Sequence, residues 1–135
     1  MITEARNPVL TEQMVAEIKA FIPRYPSRQA VTLPALHVVN ENQRVRDFAA
    51  ALAVGDLHTA GALMVQSHDS LRDLYDTSTP VMDRAARELV DIPGVFGARM
   101  TGGGFGGCVV ALCRRGALTD GWVVQPVGAA AITTD

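Results

Sequence analysis

Glycine is concentrated in one short segment, and this segment constrains the fold more than any other. Five of the 12 glycines lie within the six residues Gly102–Gly107. The flanking runs, Val95–Met100 and Cys108–Leu112, are apolar and rich in residues that favour strands. Because glycine adopts positive φ at little cost and carries no side chain, it suits a tight turn. The pattern therefore predicts a turn that joins two strands.

The glycine run could also present backbone N–H groups to a ligand. Successive N–H groups in such a turn form a concavity of partial positive charge that suits phosphate oxygens. A Walker loop is excluded, because it needs Lys-Ser or Lys-Thr after the last glycine and this chain has Cys108 and Val109 there. The run is thus a candidate phosphate site of another kind.

The pattern G-x-G-x-x-G is matched by Gly102, Gly104 and Gly107. A dinucleotide site requires this pattern to open a helix and an acidic residue to follow about 20 residues later. A strand signal follows instead, and Trp122–Val127 contains no acid. The protein-kinase version needs a lysine on the next strand, whereas the only lysine is Lys19. A glycine-rich hairpin that contacts no ligand stays open as the alternative.

Composition restricts the class of protein. A chain of 135 residues with 48% hydrophobic residues fits one globular domain. The 12 basic and 14 acidic residues are mixed along the chain and no basic stripe occurs, so we expect no nucleic-acid partner. No apolar run is long enough to span a membrane, and the N-terminus lacks a secretory segment, so we expect a cytoplasmic protein without a membrane partner. Cys108 and Cys113 are expected to be buried, reduced thiols.

Helical periodicity dominates the first 90 residues. Thr11 caps a first predicted helix that ends at Pro23, and residues 24–34, with two further prolines, are predicted to be a linker. Asn40 and Gln43 form a capping box for a second helix. The apolar face predicted for this helix consists of Val45, Phe48, Ala49 and Leu52.

Two more helices precede the hairpin. Gly55 and Asp56 break the second helix and cap the third, which carries one apolar stripe. A fourth helix starts at Ser78 and Pro80. The stripe residues of the third helix are Leu57, Ala60, Leu63, Met64, His68, Leu71 and Tyr75, and the inward residues of the fourth are Val81, Ala85, Leu89 and Val90, before Pro93 and Gly94 end it. With a last short strand at 122–127, the order predicts an α+β domain with helices packed on a small antiparallel sheet.

Three blocks of sequence, in the same order as in a known family, resemble galactokinases of the GHMP kinase group. Gly97–Cys108, which reads GARMTGGGFGGC, closely resembles the third signature motif of that family. His37–Val45, which reads HVVNENQRV, resembles a run that usually has threonine at the position of Asn40. Ser67–Tyr75, followed by Ser78, Pro80 and Asp83, resembles the stretch between those two blocks.

The resemblance implies a ferredoxin-like GHMP kinase C-terminal domain over residues 34–127. Residues 1–33 resemble the family only weakly, as an N-terminal helix and linker, and residues 128–135 are expected to be a tail. Residues 114–121 are shorter than the helix that the family commonly has there, so the pairing of the last strand stays open.

The same resemblance implies a function. Galactokinases transfer the γ-phosphate of Mg-ATP to the 1-hydroxyl of galactose, so ATP and Mg²⁺ are implied by the family, although no cofactor is required by this chain itself. The implied ATP phosphate loop comprises Thr101, Gly102, Gly103, Gly104, Phe105, Gly106 and Gly107, with Arg99 as possible support. No catalytic residue and no metal ligand are assigned to this chain, because the resemblance places the sugar signature and the nucleotide loop in an N-terminal half that the chain lacks.

We therefore expect little or no kinase activity from the chain alone. One alternative is a split kinase, in which a separate N-terminal half is the partner and galactose and ATP bind the complete enzyme. Another is a non-catalytic remnant or a small binding or interaction module. Self-association is compatible with either alternative. Phosphoryl transfer needs nucleotide, metal and nucleophile held in line, and one glycine turn supplies a single wall of such a site.

Other polar residues have plainer interpretations. His37 and His68 could act as ligands or acid–base groups, but for His68, on an apolar stripe, we expect a core histidine with a hydrogen-bond partner. His58 is expected at the surface. Glu41 and Arg44, three residues apart, are expected to form an exposed ion pair. The aspartates at 69, 73, 76 and 83 do not have metal-ligand spacing.

Overall fold

The computed structural model describes residues 26–124. It contains α1 (Pro26–Ala53), α2 (Leu57–Asp73) and α3 (Pro80–Val90), followed by strands β1 (Val95–Thr101) and β2 (Cys108–Cys113). Within these residues the strands form one two-stranded antiparallel sheet. The predicted α+β arrangement is confirmed. The helix predicted between Thr11 and Pro23 and the tail at 128–135 lie outside the described residues.

Helix α1 begins earlier than the sequence predicts. Residues 26–34, predicted to be a linker, are helical, and Asn40 lies inside the helix rather than at its N-cap. Pro26 stands at the first helical position, where its missing N–H removes no helical bond. Pro34 lies inside the helix, where packing against the rest of the domain can outweigh one lost bond. Leu36 and His37, which follow it, are buried.

The apolar face predicted for α1 is also wrong. Val45 is 63% exposed and Leu52 is 42% exposed. The side chains that α1 does bury include Leu36, His37 and Ala51. Helix α1 therefore packs on α2 through a different face from the one that simple periodicity selects.

The two shorter helices begin at capping residues. Asp56 caps α2 by accepting a hydrogen bond from the Thr59 N–H at 3.0 Å, as predicted. Thr79 caps α3 by accepting from the Met82 N–H at 3.3 Å, and Pro80 follows it. Helix α3 buries Met82 and Ala86, whereas Val81, predicted to face inward, is 70% exposed.

The hairpin forms where the glycine run predicts it. Arg99 pairs with Val110 and Thr101 pairs with Cys108 across the ladder. Helix α2 lies against β1 through two glycines, because a Cβ at Gly61 would overlap the Phe96 carbonyl and a Cβ at Gly97 would overlap the Gly61 carbonyl. This close approach fixes α2 directly over the strand that leads into the turn.

The core lies between the helices and β1. Its buried apolar side chains come from every element except β2 and are Leu36, Ala51, Ala60, Met64, Met82, Ala86, Ala98 and Met100.

Residues after β2 differ from the prediction. Trp122–Val124 do not form a strand, and the Trp122 side chain is 93% exposed. The rest of that predicted strand lies outside the described residues. Both cysteines are free thiols, but Cys108 is exposed and Cys113 half-buried, so the expected burial is wrong. None of the described helices is both long and apolar enough to cross a membrane.

Candidate functional site

The segment Thr101–Gly107, here called the glycine turn, projects from the end of the hairpin. Its φ angles are 93° at Gly102, 87° at Gly104, 133° at Gly106 and 110° at Gly107. These values lie in the left-handed region that residues with a Cβ rarely adopt. The glycines are therefore needed for the path of the backbone.

Most N–H groups of the glycine turn are available to a ligand. Within residues 26–124, Phe105 is the one member of the segment 102–107 whose N–H donates to a backbone carbonyl, that of Thr77, at 2.8 Å. The glycine N–H groups on either side of Phe105 donate to no backbone carbonyl of the described residues. Phe105 itself has φ 58° and is 75% exposed, so its ring points away from the core. Several free donors in one turn can receive an anion.

The turn is held close to the segment before α3. A Cβ at Gly104 would lie 2.6 Å from the Thr77 carbonyl oxygen, so this approach also requires glycine. Thr77 is 9% exposed, and its N–H donates to the Leu71 carbonyl at 3.1 Å. The turn therefore leans on a buried, hydrogen-bonded part of the domain.

A buried histidine connects three elements beneath the turn. The Met100 N–H donates to His68 Nδ1 at 3.1 Å, so the ring proton is on Nε2. His68 Nε2 donates to Asp83 Oδ1 at 3.0 Å, and the Ser78 hydroxyl donates to the same oxygen at 2.6 Å. His68 is 4% exposed, which confirms a core histidine with hydrogen-bond partners.

A cleft of about 330 Å³ opens beside the base of the turn. Thr101 and Arg99, which lie on the same face of β1, contribute to its wall together with Val110 of β2. The remaining lining comes from α1 and α2 and comprises Glu41, Arg44, Val45, Phe48, Leu63, Met64 and Ser67. Apart from Thr101, Ser67 and one group of charged side chains, the cleft is lined by apolar residues.

That charged group is centred on Glu41. Its carboxylate forms an ion pair with Arg44, accepts a hydrogen bond from the Ser67 hydroxyl at 2.6 Å, and lies 3.5 Å from Arg99 Nη1. Glu41 and Arg44 are only 18% and 15% exposed, so the expectation of an exposed ion pair is wrong. Arg99 is 32% exposed, and its Nε donates to the Met100 carbonyl. Arg99 therefore lies beside the turn, and its guanidinium pairs with the Glu41 carboxylate.

Burial and crowding of positive charge shape the electrostatics here. Burial lowers the pKa of Arg99, and burial together with the charge of Arg99 lowers the pKa of Arg44. Burial, followed by the charges of Arg44 and Arg99, lowers the pKa of His37, while its hydrogen bond with Ser70 acts in the opposite direction. The His37 ring lies 2.8 Å from the Ser70 hydroxyl and stacks on Tyr75.

The other polar candidates do not converge on the turn. His58 is exposed at the surface, as predicted, with its ring edge-to-face on Phe96. Asp69 and Asp73 form ion pairs with Arg72 on the solvent side of α2. Among the described residues, no group of three or more His, Cys, Asp or Glu side chains could hold a metal ion.

Sequence reasoning missed Thr77, Ser67 and the role of Asp83. Ser67 begins the block Ser67–Tyr75 but was given no role, and Thr77 lies outside that block; both matter because the fold places them against the turn or Glu41. Asp83 and Ser78 did lie in a block of family resemblance, but their partner His68 is 15 residues from Asp83 and follows only from the packing of α2 on α3.

Comparison with known proteins links the geometry to a family. Residues 48–120, more than half of the chain, match the family described as GHMP kinases C terminal. The chain is 53% identical over 83 residues to galactokinase from Bos taurus, a match that covers 62% of this chain and 21% of that protein. It is 48% identical over 99 residues to galactokinase from Mycobacterium bovis (strain BCG / Pasteur 1173P2), covering 73% of this chain and 26% of the relative.

A solved structure agrees with the sequence matches. Galactokinase of Lactococcus lactis, crystallised with galactose, superposes with a TM-score of 0.63 at 37% identity. The superposition covers 73% of this chain and 25% of that one, so the chain spans about a quarter of that enzyme. Fold, signature turn and sequence identity lead to one conclusion: the chain belongs to the GHMP kinase family, of which it carries the C-terminal domain.

Proposed function

We propose that the chain is the C-terminal part of a galactokinase-like sugar kinase and that its glycine turn contacts the phosphates of ATP. The observation that carries the proposal is the geometry of the turn at an exposed end of the hairpin: four of its five glycines have positive φ, and none of its glycine N–H groups donates to a backbone carbonyl of residues 26–124. Identities of about 50% to galactokinases support this class of kinase.

The proposed reaction transfers the terminal phosphoryl group of ATP to the 1-hydroxyl of galactose. The bond between the γ-phosphorus and the β,γ-bridging oxygen breaks, a bond from the sugar oxygen to the γ-phosphorus forms, and the hydroxyl proton leaves to solvent or a base. Negative charge shifts to the β,γ-bridging oxygen and the β-phosphate as this bond breaks, and fixed N–H donors beside the phosphates stabilise it without reorganisation. The turn would contribute such donors.

The residues of the turn fit phosphate but not a metal ion. Free N–H groups and the absence of side chains at Gly102, Gly103 and Gly106 let phosphate oxygens approach the backbone. The described residues hold no carboxylate cluster for Mg²⁺. We therefore assign no step to Mg²⁺ through this domain.

The remaining machinery would come from residues outside this chain. Sugar recognition and nucleophile activation are not accounted for by the turn, and the chain covers only 20% to 26% of the length of the galactokinases that it matches. We propose that turnover requires a further kinase segment, on the same or a separate polypeptide, and that such a complete enzyme acts in the cytoplasm.

Mixing the chain with a complementary kinase segment tests the proposal. ADP release would be followed with ATP and galactose, using the chain alone, the N-terminal three-quarters of the Lactococcus lactis enzyme alone, and both together. We expect turnover in the mixture and little in either part. The matched variants are Gly102→Ala and Gly116→Ala, since both glycines have positive φ, at 93° and 81°, and neither has a neighbour within 4 Å.

The two variants distinguish an effect on the proposed phosphate contact from an effect of backbone strain alone. Both add the same left-handed strain, but only Gly102 is in the turn, so Gly102→Ala should lower kcat about tenfold or more and Gly116→Ala should leave it near that of the wild type. Galactose-dependent turnover by the chain alone would contradict the division of labour proposed here. Equal effects of the two substitutions would contradict the phosphate role of the turn.

Self-association is the second candidate function. It is favoured by the exposed apolar side chains Val38, Val45 and Leu52, which repeat every seven residues along α1. Analytical ultracentrifugation at increasing concentration tests it. If self-association is the function, the chain should form a dimer, and its mixture with the complementary kinase segment should show no turnover.

A further inference from the structure

Two backbone amides of the turn region are held from outside the hairpin. The Met100 N–H, one residue before the glycine turn, donates to His68 on α2 at 3.1 Å. The Phe105 N–H, at the centre of the turn, donates to the Thr77 carbonyl at 2.8 Å. The turn is therefore fixed at its entry and at its centre by separate groups.

His68 and Ser78, the residue after Thr77, both donate to a single oxygen. Asp83 Oδ1 accepts from His68 Nε2 at 3.0 Å and from the Ser78 hydroxyl at 2.6 Å, and Ser78 directly follows Thr77. His68 and Thr77 are 4% and 9% exposed, and the Asp83 side chain is 14% exposed. Water therefore competes weakly for these bonds, and loss of the shared acceptor would leave buried donors unpaired.

We propose that Asp83 is a positioning residue of the glycine turn. Its Oδ1 orients His68 and the segment containing Thr77 and Ser78, and these hold the Met100 and Phe105 amides. In this arrangement the glycine N–H groups of the turn point in one fixed direction. The inference rests on the proposed function, because it takes these N–H groups to be oriented for contact with the phosphates of ATP.

The geometry predicts that the acceptor oxygen of Asp83, and not its charge, positions the turn. Both donors converge on one oxygen, so Asp83→Asn keeps the acceptor, whereas Asp83→Ala removes it. Ser78→Ala removes only the hydrogen bond from the Ser78 hydroxyl to Asp83, next to Thr77, and leaves the bond from His68 to Asp83. A control is Asp69→Ala, which removes a carboxylate that is 48% exposed and pairs with Arg72.

Native-state hydrogen exchange of the 135-residue chain tests the positioning role without any activity. Asp83→Ala should accelerate exchange of the Met100 and Phe105 amides about tenfold or more relative to the amides of α2, while Asp83→Asn should stay within about threefold of wild type. Ser78→Ala should accelerate Phe105 and leave Met100 near wild type, which keeps the test decisive if Asp83→Ala does not fold. Asp69→Ala should change neither amide.

The exchange result can also overturn the inference. Uniform acceleration of all amides by Ser78→Ala, an Asn variant as mobile as the Ala variant, or unchanged exchange at Phe105 would each show that Asp83 does not direct the turn.

Turnover of the chain mixed with the complementary segment gives the second readout. Asp83→Ala should lower kcat/KM for ATP about fivefold or more, with rescue by Asp83→Asn, while KM for galactose stays within about twofold. A wild-type mixture without turnover contradicts the proposed function, and the exchange result then decides the positioning role by itself. Turnover that is equal in the Ala and Asn variants contradicts the positioning role and leaves the proposed function intact.

Discussion

Two regions of this domain depend on glycine for opposite reasons. At the contact of α2 with β1, Gly61 and Gly97 are buried, and each would push a Cβ into the backbone of the other element. In the glycine turn, Gly102 and Gly106 have open space around them but adopt φ of 93° and 133°. The first pair is required by packing and the second by backbone conformation.

The difference separates what holds the fold from what is available to a ligand. The buried pair sets the distance between α2 and β1 and thereby brings His68 to the Met100 amide. The turn contributes little to packing, and its donors remain free because nothing in the described part of the chain covers them. Substitutions at the two regions should therefore affect different measurable properties.

The largest effect is expected at the packed pair. Gly61→Ala and Gly97→Ala each place a methyl group where a carbonyl of the facing element lies, and neither rigid backbone can move without separating α2 from β1. We expect a loss of about 3 kcal/mol or more in the free energy of unfolding, measured by urea denaturation, or no cooperative unfolding.

Gly55→Ala is the matched control for that prediction. Gly55 has φ 74° and no neighbour within 4 Å, so alanine adds backbone strain without overlap. Its cost should be about 1 to 2 kcal/mol. A Gly61→Ala variant as stable as Gly55→Ala would break the comparison, because the helix and strand would then not be in rigid contact.

A smaller effect is expected at Gly104, where both packing and backbone conformation require glycine. It has φ 87°, and an added Cβ would lie 2.6 Å from the Thr77 carbonyl oxygen. Alanine at Gly104 adds left-handed strain, and the turn can relieve the overlap by moving away from Thr77 only with loss of a hydrogen bond, so Gly104→Ala should cost about 2 to 3 kcal/mol in the free energy of unfolding. It should also break the bond between Phe105 and Thr77, which a loss of hydrogen-exchange protection at the Phe105 amide would report. Retained protection would contradict this account.

The sequence predicted local features better than packing. The glycine turn, its flanking strands and the Asp56 cap follow from residue chemistry within a few positions, and the structure has all three. The start of α1 and its buried face could not be predicted, because they depend on which side of α1 meets α2. Val45 and Leu52 have helical spacing and are exposed, whereas Leu36, His37 and Ala51 of α1 are buried.

The candidate site divides in the same way. The glycine turn and Arg99 were identified by local pattern and resemblance, since glycines in sequence remain neighbours in space. Their surroundings were not, because Glu41 and Ser67 are 26 residues apart and the Thr77 carbonyl carries no side-chain signal. A role of the turn in phosphate binding stays a prediction, as does the division of the chain at residues 34 and 127.

A change of pH should act on the packed region through His37. Burial, with Arg44 and Arg99, lowers the pKa of His37 in the folded chain, so the unfolded chain binds the proton more readily. The free energy of unfolding should therefore fall as the pH drops below about 6.5, the usual histidine value, and level off below the folded pKa. Urea denaturation between about pH 7.5 and 5.5 should show less of this loss in His37→Gln than in the wild type.

The exposed His58 is the control for the pH experiment. His58→Gln should retain the pH dependence of the wild type, because the lowered pKa belongs to His37. Equal pH dependence in the wild type and His37→Gln would show that burial of His37 does not control stability in this range.

The smallest effect on stability is expected at Gly103, and it sharpens the comparison most. Gly103 has no neighbour within 4 Å, and its φ lies outside the left-handed region, so neither packing nor conformation demands glycine there. Alanine should raise the free energy of unfolding by about 0.5 kcal/mol, because it restricts the unfolded chain. Its methyl group would nevertheless stand beside the free amides, so the mixture with the complementary kinase segment should lose turnover. A variant that is more stable and less active would show that Gly103 is retained for the approach of a ligand to the backbone. A variant that is destabilised by more than about 1 kcal/mol would mean that the turn packs against something, and the two kinds of glycine would no longer be distinct.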